Sequence, residues 1–318
     1  MSNEIVDIVV FGATAVTGKH TVRYLLSHRE RSTFTFAIAG RSSNKLSALR
    51  AELSIPDCVP TIVADSFDAD SIAAMVAKAK VVINLAGPYN VFNARGIVAE
   101  CVKQGKAYTD LTGESGFYKK VIDEFHDQAK QNGVPIVMSC GFDSTPSDMG
   151  TFLAVQHLKS QAPASRITDV TTAVRISSTI GKGTLMSGVD MVTQSKRENE
   201  DTTWQLKSVR PDEFSPIDSK RPMPWGPVIK APHGTRAGAL AFFPLACHNH
   251  RVVSRTWGLL ETELKGNKEA YGDAFQYAEG IVMPNATVAA IVTIFVKTFL
   301  LFQIWFPPVR RMQNSSKM

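Results

Sequence analysis

The sequence predicts an α/β protein: an N-terminal doubly wound parallel sheet, a second α+β domain and a C-terminal apolar helix. Three observations carry that prediction. Short β-branched runs alternate with amphipathic segments from the start to about Ser139. Beyond Gly150 this alternation weakens. Finally, Ala286 to Phe306 (ATVAAIVTIFVKTFLLFQIWF) is roughly twenty residues of almost unbroken apolar character. The expected boundaries are therefore 1–150, 151–280 and 281–318.

In the first part, Ile5–Val10 reads as a strand and Thr17–Ser27 as a helix. Thr33–Ala39 with Asn44–Leu53, Thr61–Ala64 with Ala69–Ala79, and Val81–Leu85 with Ala94–Lys103 repeat the pair. Ala107–Asp110, a helix over Tyr118–Gln131 and Val134–Met138 close the series. Strands that are apolar along their whole length, separated by helices, belong to a parallel sheet covered on both faces. Ser43 or Asn44 and Asp70 are expected N-caps, and Gly105 and Gly133 expected C-caps. In the second part Val170–Ser177 reads as a strand and Ser178–Gly188 as a glycine-rich loop leading into a helix. Arg210–Gly234 is a proline-dense excursion, and Ala239–Pro244 and Val252–Leu259 read as strands.

Composition narrows the function classes. The chain has 318 residues, 44% hydrophobic and 20% charged, which excludes global disorder. The net charge is +6, yet no dense Lys/Arg run or basic stripe interleaved with aromatics occurs, so nucleic acid is not an expected partner. Four cysteines (Cys58, Cys101, Cys140, Cys247) lie far apart without C-x-x-C spacing, which points to a reducing, cytoplasmic compartment and no structural zinc. Cys247, His248 and His250 are read as a loop cluster, not as metal ligands. The N-terminus runs straight into a strand without a charged n-region, so no secretory signal is expected.

The apolar C-terminal segment contains Lys297 and Gln303 and is followed by Arg310, Arg311 and Lys317. A spanning orientation that kept the first domain cytosolic would put those cations on the far side, against the positive-inside tendency. A helix in the membrane interface, or buried in an apolar groove or dimer core, avoids that conflict.

The chemistry centres on Phe11-Gly12-Ala13-Thr14-Ala15-Val16-Thr17-Gly18, directly behind the first strand. A strand, a glycine turn and a new helix suit a dinucleotide pyrophosphate. The helix start offers unpaired N–H groups and a positive dipole end, and small residues permit close backbone approach. This is the signature of a Rossmann-type domain. Gly12 and Gly18 are the outer glycines; Ala15 holds the middle place. The second strand ends in Gly40-Arg41, where an NAD site would carry Asp or Glu; Arg41 instead suits a 2′-phosphate, which favours NADP(H). Asp65, after the third strand, either accepts from the adenine amino group or caps the following turn. Gly87, Pro88 and Tyr89 follow the fourth strand, where a nicotinamide would lie. Tyr89 is a candidate proton donor or ring-stacking residue. No tyrosine has lysine four residues on, which excludes Tyr-x-x-x-Lys catalysis.

These motifs together resemble the saccharopine dehydrogenase-like oxidoreductase family, including its trans-acting enoyl reductases. The segments that carry the likeness are VVFGATAVTG, AIAGRSSNKL, NLAGPYNVFN, AYTDLTGE, MSCGFDSTPSDMG, STIGKGTLMSG and YGDAFQYAEG, in order. The family usually has glycine at the position of Ala15, and usually continues well beyond the apolar segment. The resemblance implies cofactor contacts at Gly12, Ala13, Thr14, Ala15, Val16, Thr17, Gly18, Arg41, Asp65, Gly87, Pro88 and Tyr89. It also implies that Cys140–Asp148 lies at the domain junction facing the nicotinamide. There Asp143 either acts as a general acid or, with Ser144 and Ser147, caps the next helix, with Pro146 in its first turn. Tyr108, Asp110 and Glu114 either hold the hinge or touch substrate.

The function this resemblance implies is NADPH-dependent reduction of a C=C bond in an unsaturated acyl or polyketide-like substrate of secondary metabolism. Such a substrate could be delivered by a carrier protein or synthase, and the C-terminal segment could rest on a membrane or lipid droplet. A homodimer is compatible. One alternative is a saccharopine-type C–N oxidoreductase, which needs cations for several carboxylates; Arg175, Lys182, Arg210 and Arg236 form no compact constellation in sequence. Another is a non-catalytic NADP-binding protein at a membrane or lipid droplet.

Overall fold

Strands of the first unit form one parallel sheet in the order β3-β2-β1-β4-β5-β6. The computed structural model describes residues 5–163, 165, 167–175, 229–230, 238–262, 269–272 and 275–305. In chain order the unit contains β1 (Val6–Phe11), α1 (Val16–Ser27), β2 (Phe36–Gly40), α2 (Ser43–Leu53), β3 (Thr61–Val63) and α3 (Ala69–Ala77). These are followed by β4 (Ala79–Asn84), α4 (Ala94–Gln104), β5 (Ala107–Asp110), α5 (Ser115–Asn132) and β6 (Ile136–Val137). β1 is central: Val10 stands opposite Ile38 of β2 and Ile83 of β4. The chain moves outward from β1 to β3, then returns beside β1 as β4. That reversal opens a crevice at the carboxyl ends of β1 and β4.

Burial explains the β-branched runs. Every residue of β2 is buried, and Val9, Val10 and Val82 have no exposed surface. Val22 and Leu25 of α1 and Leu46 and Leu49 of α2 close one side of this core. The caps lie just ahead of the expected positions. Ser42 caps α2 through the Lys45 N–H, and Asp68 caps α3 through the Asp70 and Ser71 N–H groups. Gly105 and Gly133 end α4 and α5 with φ of 69° and 65°, the left-handed conformation that glycine adopts without a Cβ penalty.

The chain divides into two compact units at Gly141, Met1–Gly141 and Phe142–Met318. This is ahead of the expected break at 150, because α6 (Ser144–Gln161) packs on elements of the second unit. That unit also holds β7 (Asp169–Val174), β8 (Ile229–Lys230), β9 (Ala239–Ala241), α7 (Ala246–Thr262), β10 (Gln276–Met283) and α8 (Ala286–Trp305). Its sheet order is β7-β10-β9-β8, with β7 and β10 parallel and the other pairs antiparallel. Val155, Val253, Trp257, Tyr271 and Phe275 form its core, and the Trp257 indole N–H donates to the Gly272 carbonyl at 2.8 Å.

Val252–Leu259, expected as a strand, lies inside α7. A short run of apolar residues does not distinguish a buried strand from a buried helix, and here nearly every residue from Ala246 to Leu260 is buried. Cys247, His248 and His250 are likewise buried on α7, not in a loop. Among the described residues no cluster of His, Cys, Asp or Glu has metal-binding geometry. Ser178–Gly188 and most of Arg210–Gly234 lie outside the described residues.

Asn285 caps α8 by accepting from the Val288 N–H at 2.9 Å. One face of α8 is built into the second sheet: Ala289 is buried, and Thr293 Oγ1 accepts from the Phe242 N–H at 3.0 Å. Ile291, Ile294 and Phe295 remain exposed. Among the described residues, no helix is long and apolar enough to cross a membrane.

Two glycines separate close packing from open space. A Cβ on Gly18 would stand 2.2 Å from the Gly12 carbonyl oxygen, whereas one on Gly150, inside α6, would meet nothing within 4 Å. Gly18→Ala should therefore lower stability by about 1–3 kcal/mol. Gly150→Ala should be neutral or stabilising by about 0.5–1 kcal/mol. Urea midpoints of the two variants test the contrast, and equal midpoints would contradict it.

Candidate functional site

The turn between β1 and α1 is held open by backbone geometry. Gly12 has φ of +78°, and a Cβ there would lie 2.7 Å from the Ala86 nitrogen. The Gly12 and Ala13 N–H groups donate to the Ala39 carbonyl at 3.0 and 3.2 Å, which ties the turn to β2. Ala15 has φ of −69° and ψ of 162°, extended backbone open to any residue, so the missing middle glycine costs the turn nothing in conformation. Among the described residues no side chain caps the first turn of α1, and Val16 at its start is 78% exposed. An uncapped helix start behind a glycine turn is a site for phosphate oxygens, so these residues fit a dinucleotide.

Arg41 stands at the carboxyl end of β2, exposed, with its guanidinium 5.9 Å from the centre of the Phe92 ring. It makes no ion pair with a described residue, so its donors are available to an anion. Asp65 is engaged locally. Its Oδ1 accepts from the Phe67 N–H at 3.0 Å, an Asx turn at the start of the segment that Ser71 and Asp68 complete. Of its two expected roles, the structure shows the turn cap.

Gly87, Pro88 and Tyr89 do follow β4 at the carboxyl edge, but Tyr89 is not a free proton donor. Its ring is 3% exposed and stacked on Phe117, with centroids 5.6 Å apart. Its hydroxyl donates to the Asn84 carbonyl at 3.1 Å and accepts from the Leu111 N–H at 3.2 Å. Burial, with Asp110 nearby, holds its pKa well above the ordinary tyrosine value. Tyr89 therefore fixes the loop, and the expectation of a catalytic hydroxyl is corrected.

Beneath that loop lies a buried polar network. Glu114, 3% exposed, accepts from the Tyr89 N–H at 2.7 Å through one oxygen, and from the Asn90 N–H and side-chain amide at 3.0 Å through the other. Asp110 accepts from the Thr112 and Ser139 N–H groups at 3.0 and 2.9 Å on Oδ1, and from the Tyr108 hydroxyl at 2.9 Å on Oδ2. Tyr108 in turn accepts from Asn84 Nδ2 at 3.1 Å. Tyr108, Asp110 and Glu114 thus pin the loops after β4, β5 and β6. Burial pushes the Asp110 carboxyl up to about 6 despite these donors.

In the second unit, Asp143 begins α6 but makes no cap hydrogen bond; the capping role expected of it is not observed. Its Oδ1 accepts instead from Asn249 Nδ2 at 3.0 Å. The same amide reaches Glu279 Oε2 at 3.0 Å, while Ser147 donates to Glu279 Oε1 at 2.8 Å and Ser144 donates to Asn249 Oδ1 at 2.8 Å. Ser144 and Ser147 thus serve this cluster. Burial, reinforced by the Glu279 charge, raises Asp143 to about 7, and burial raises Glu279 as well.

Asn84, Phe92, Asn249 and Glu279 belong to the site's network but stand in none of the motifs' expected roles. Two carried a signal: Asn84 is the polar end of the apolar strand VVIN, and Glu279 is the lone charge in QYAEGIVM. Asn249 and Phe92 carried none, because their partners are remote in sequence or set by loop geometry.

The raised carboxylates predict the pH dependence of stability. With Asp110 and Asp148 at about 6 and Asp143 at about 7, against ordinary values near 3.8, the native state holds more protons between pH 4 and 7. Stability therefore falls as pH rises through that window. Thermal melting should give a higher Tm at pH 5 than at pH 7.5. In Asp110→Asn that gain should shrink; an unchanged gain would exclude Asp110 as a contributor.

The Saccharopine dehydrogenase NADP binding domain matches residues 8–137, which include the Gly12–Gly18 turn, Arg41 and the pinned loops after β4 and β5. Rv2449c of Mycobacterium tuberculosis (strain H37Rv), whose name assigns it provisionally to the trans-acting enoyl reductases, is 33% identical over 297 residues. That alignment covers 91% of this chain and 68% of the relative. A trans-acting enoyl reductase of Mycobacterium bovis (strain BCG / Pasteur) is 42% identical over 148 residues, 46% of this chain and 34% of the relative. The chain belongs to the saccharopine dehydrogenase-like oxidoreductases that include the trans-acting enoyl reductases, and it carries their NADP-binding domain.

Proposed function

We propose that this protein is an NADPH-dependent enoyl reductase that saturates an α,β-unsaturated acyl or polyketide-like chain. The observation that carries the reading is the 33% identity over 91% of the chain to a relative whose name assigns it provisionally to the trans-acting enoyl reductases, with a glycine turn and an arginine that forms no ion pair with a described residue inside its NADP-binding domain. Delivery of the acyl group by a carrier protein or synthase belongs to the same proposal.

Gly12 to Gly18, with the start of α1, would hold the pyrophosphate of NADPH; Arg41 would hold its 2′-phosphate, and the Gly87–Tyr89 backbone would border its nicotinamide. When bound, the cofactor supplies hydride. The reaction adds hydride to the β carbon, gathers negative charge on the acyl carbonyl oxygen and brings a proton to the α carbon. One C=C π bond is lost and two C–H bonds form. The resemblance of the Cys140–Asp148 segment to the family makes Asp143 the candidate source of that proton. Burial pushes its carboxyl up to about 7, which favours the protonated form an acid needs, and Asn249 Nδ2 donates to its Oδ1 at 3.0 Å.

Arg41→Ala should weaken NADPH binding by roughly ten- to a hundredfold, the strength of a charge-assisted contact, and leave NADH almost unchanged. Nicotinamide fluorescence titration reads this directly; equal losses for both cofactors would overturn the 2′-phosphate assignment. For an enoyl thioester, turnover should decline as pH rises through about 7, where Asp143 loses its proton. Asp143→Asn should lower kcat by about 10²–10⁴-fold and abolish that limb. An unchanged pH profile in the variant would assign the proton to another group.

A further inference from the structure

Phe92 lies on the loop between β4 and α4, just ahead of α4, yet its ring stands 5.9 Å from the guanidinium of Arg41, the residue that follows β2. The loop is fixed along its length. Glu114 grips Tyr89 and Asn90 from below, the Phe92 N–H donates to the Pro88 carbonyl at 3.0 Å, and the Ala94 N–H donates to the Tyr89 carbonyl at 3.0 Å. Beyond Phe92, Asn93 adopts a left-handed φ of 51° and its amide donates to the Ser66 carbonyl at 2.7 Å, just after β3. Gly96 makes room for that amide: a Cβ there would stand 2.8 Å from Asn93 Nδ2. In the sheet order β3-β2-β1-β4, a loop that leaves β4 and touches Arg41 after β2 and Ser66 after β3 must pass the carboxyl end of β1. It is a strap across the nucleotide crevice.

We propose that this strap positions the cofactor-reading cation: Phe92 holds the Arg41 guanidinium over its ring face, so that the arginine is ordered before a 2′-phosphate arrives. The inference rests on the proposed role of Arg41 and adds a specificity-determining residue that makes no hydrogen bond to the phosphate itself. The physical basis is the attraction between a guanidinium and an aromatic face, which leaves the in-plane N–H donors free for an anion. Ordering a long side chain in advance removes entropy that binding would otherwise cost.

The test is direct binding of NADPH and NADH, by fluorescence titration, to the wild type, Phe92→Ala, Phe92→Tyr, Arg41→Ala and the Arg41→Ala/Phe92→Ala double variant, with thermal melting of each. Phe92→Ala should weaken NADPH by about two- to fivefold, as expected for an exposed cation–π pair, with NADH unchanged. Phe92→Tyr should retain wild-type affinity, and Phe92→Ala should have no further effect once Arg41 is gone. Should Phe92→Ala lose its melting transition, Phe92→Leu, which fills the site without a ring, takes its place. Equal weakening of both cofactors, or an undiminished effect in the Arg41→Ala background, would overturn the positioning role. If Arg41→Ala alone left the NADPH-to-NADH ratio unchanged, the reading of Arg41 itself would fall, and this inference with it.

Discussion

Two buried carboxylates under the carboxyl edge of the first sheet set the shape of everything above them. Glu114 uses both oxygens to hold the backbone of Tyr89 and Asn90, and Asp110 holds Thr112, Ser139 and Tyr108. Loops of a parallel sheet have no ladder to satisfy their N–H groups, so a buried loop needs acceptors from elsewhere. Here side chains from the β5 end and the segment after it supply them. The loops that follow β4, β5 and β6 are therefore one connected unit, and the Phe92 strap inherits its rigidity from it. The cost is two desolvated carboxylates, and burial pushes the Asp110 carboxyl up to about 6.

The nucleotide turn obeys a different constraint, set by backbone approach. Gly12 lies against the Leu85–Ala86 backbone and Gly18 against the Gly12 carbonyl, so neither position has space for a side chain. Ala15 sits between them in extended backbone, which explains why the glycine pattern tolerates alanine at that one place. The turn is thus specified by two close contacts, not by three glycines.

The second unit repeats the use of buried acids with a different connectivity. Asp143, Ser147, Asn249 and Glu279 come from α6, α7 and β10, and one amide bridges both carboxylates. A low-dielectric cluster with two acids favours keeping a proton, because both cannot be charged cheaply at close range. Burial and the neighbouring Glu279 carboxylate together push the Asp143 carboxyl up to about 7.

The sequence by itself determined the parallel sheet, the order of its helices, the glycine turn and Arg41, because each is written in local periodicity, capping or a short motif. It also named Tyr108, Asp110, Glu114 and Asp143, but left their roles open. Tyr89 shows the reason: a tyrosine after a β4-type strand reads the same whether its hydroxyl faces a ligand or the core, and only packing against Phe117 decides. Val252–Leu259 shows it again, since a short apolar run becomes strand or helix according to what surrounds it. Tertiary structure alone decided the pairing of Arg41 with Phe92 and of Asn249 with two acids. Those contacts join residues that are distant in sequence, and no periodicity along the chain encodes which distant partner a side chain will meet.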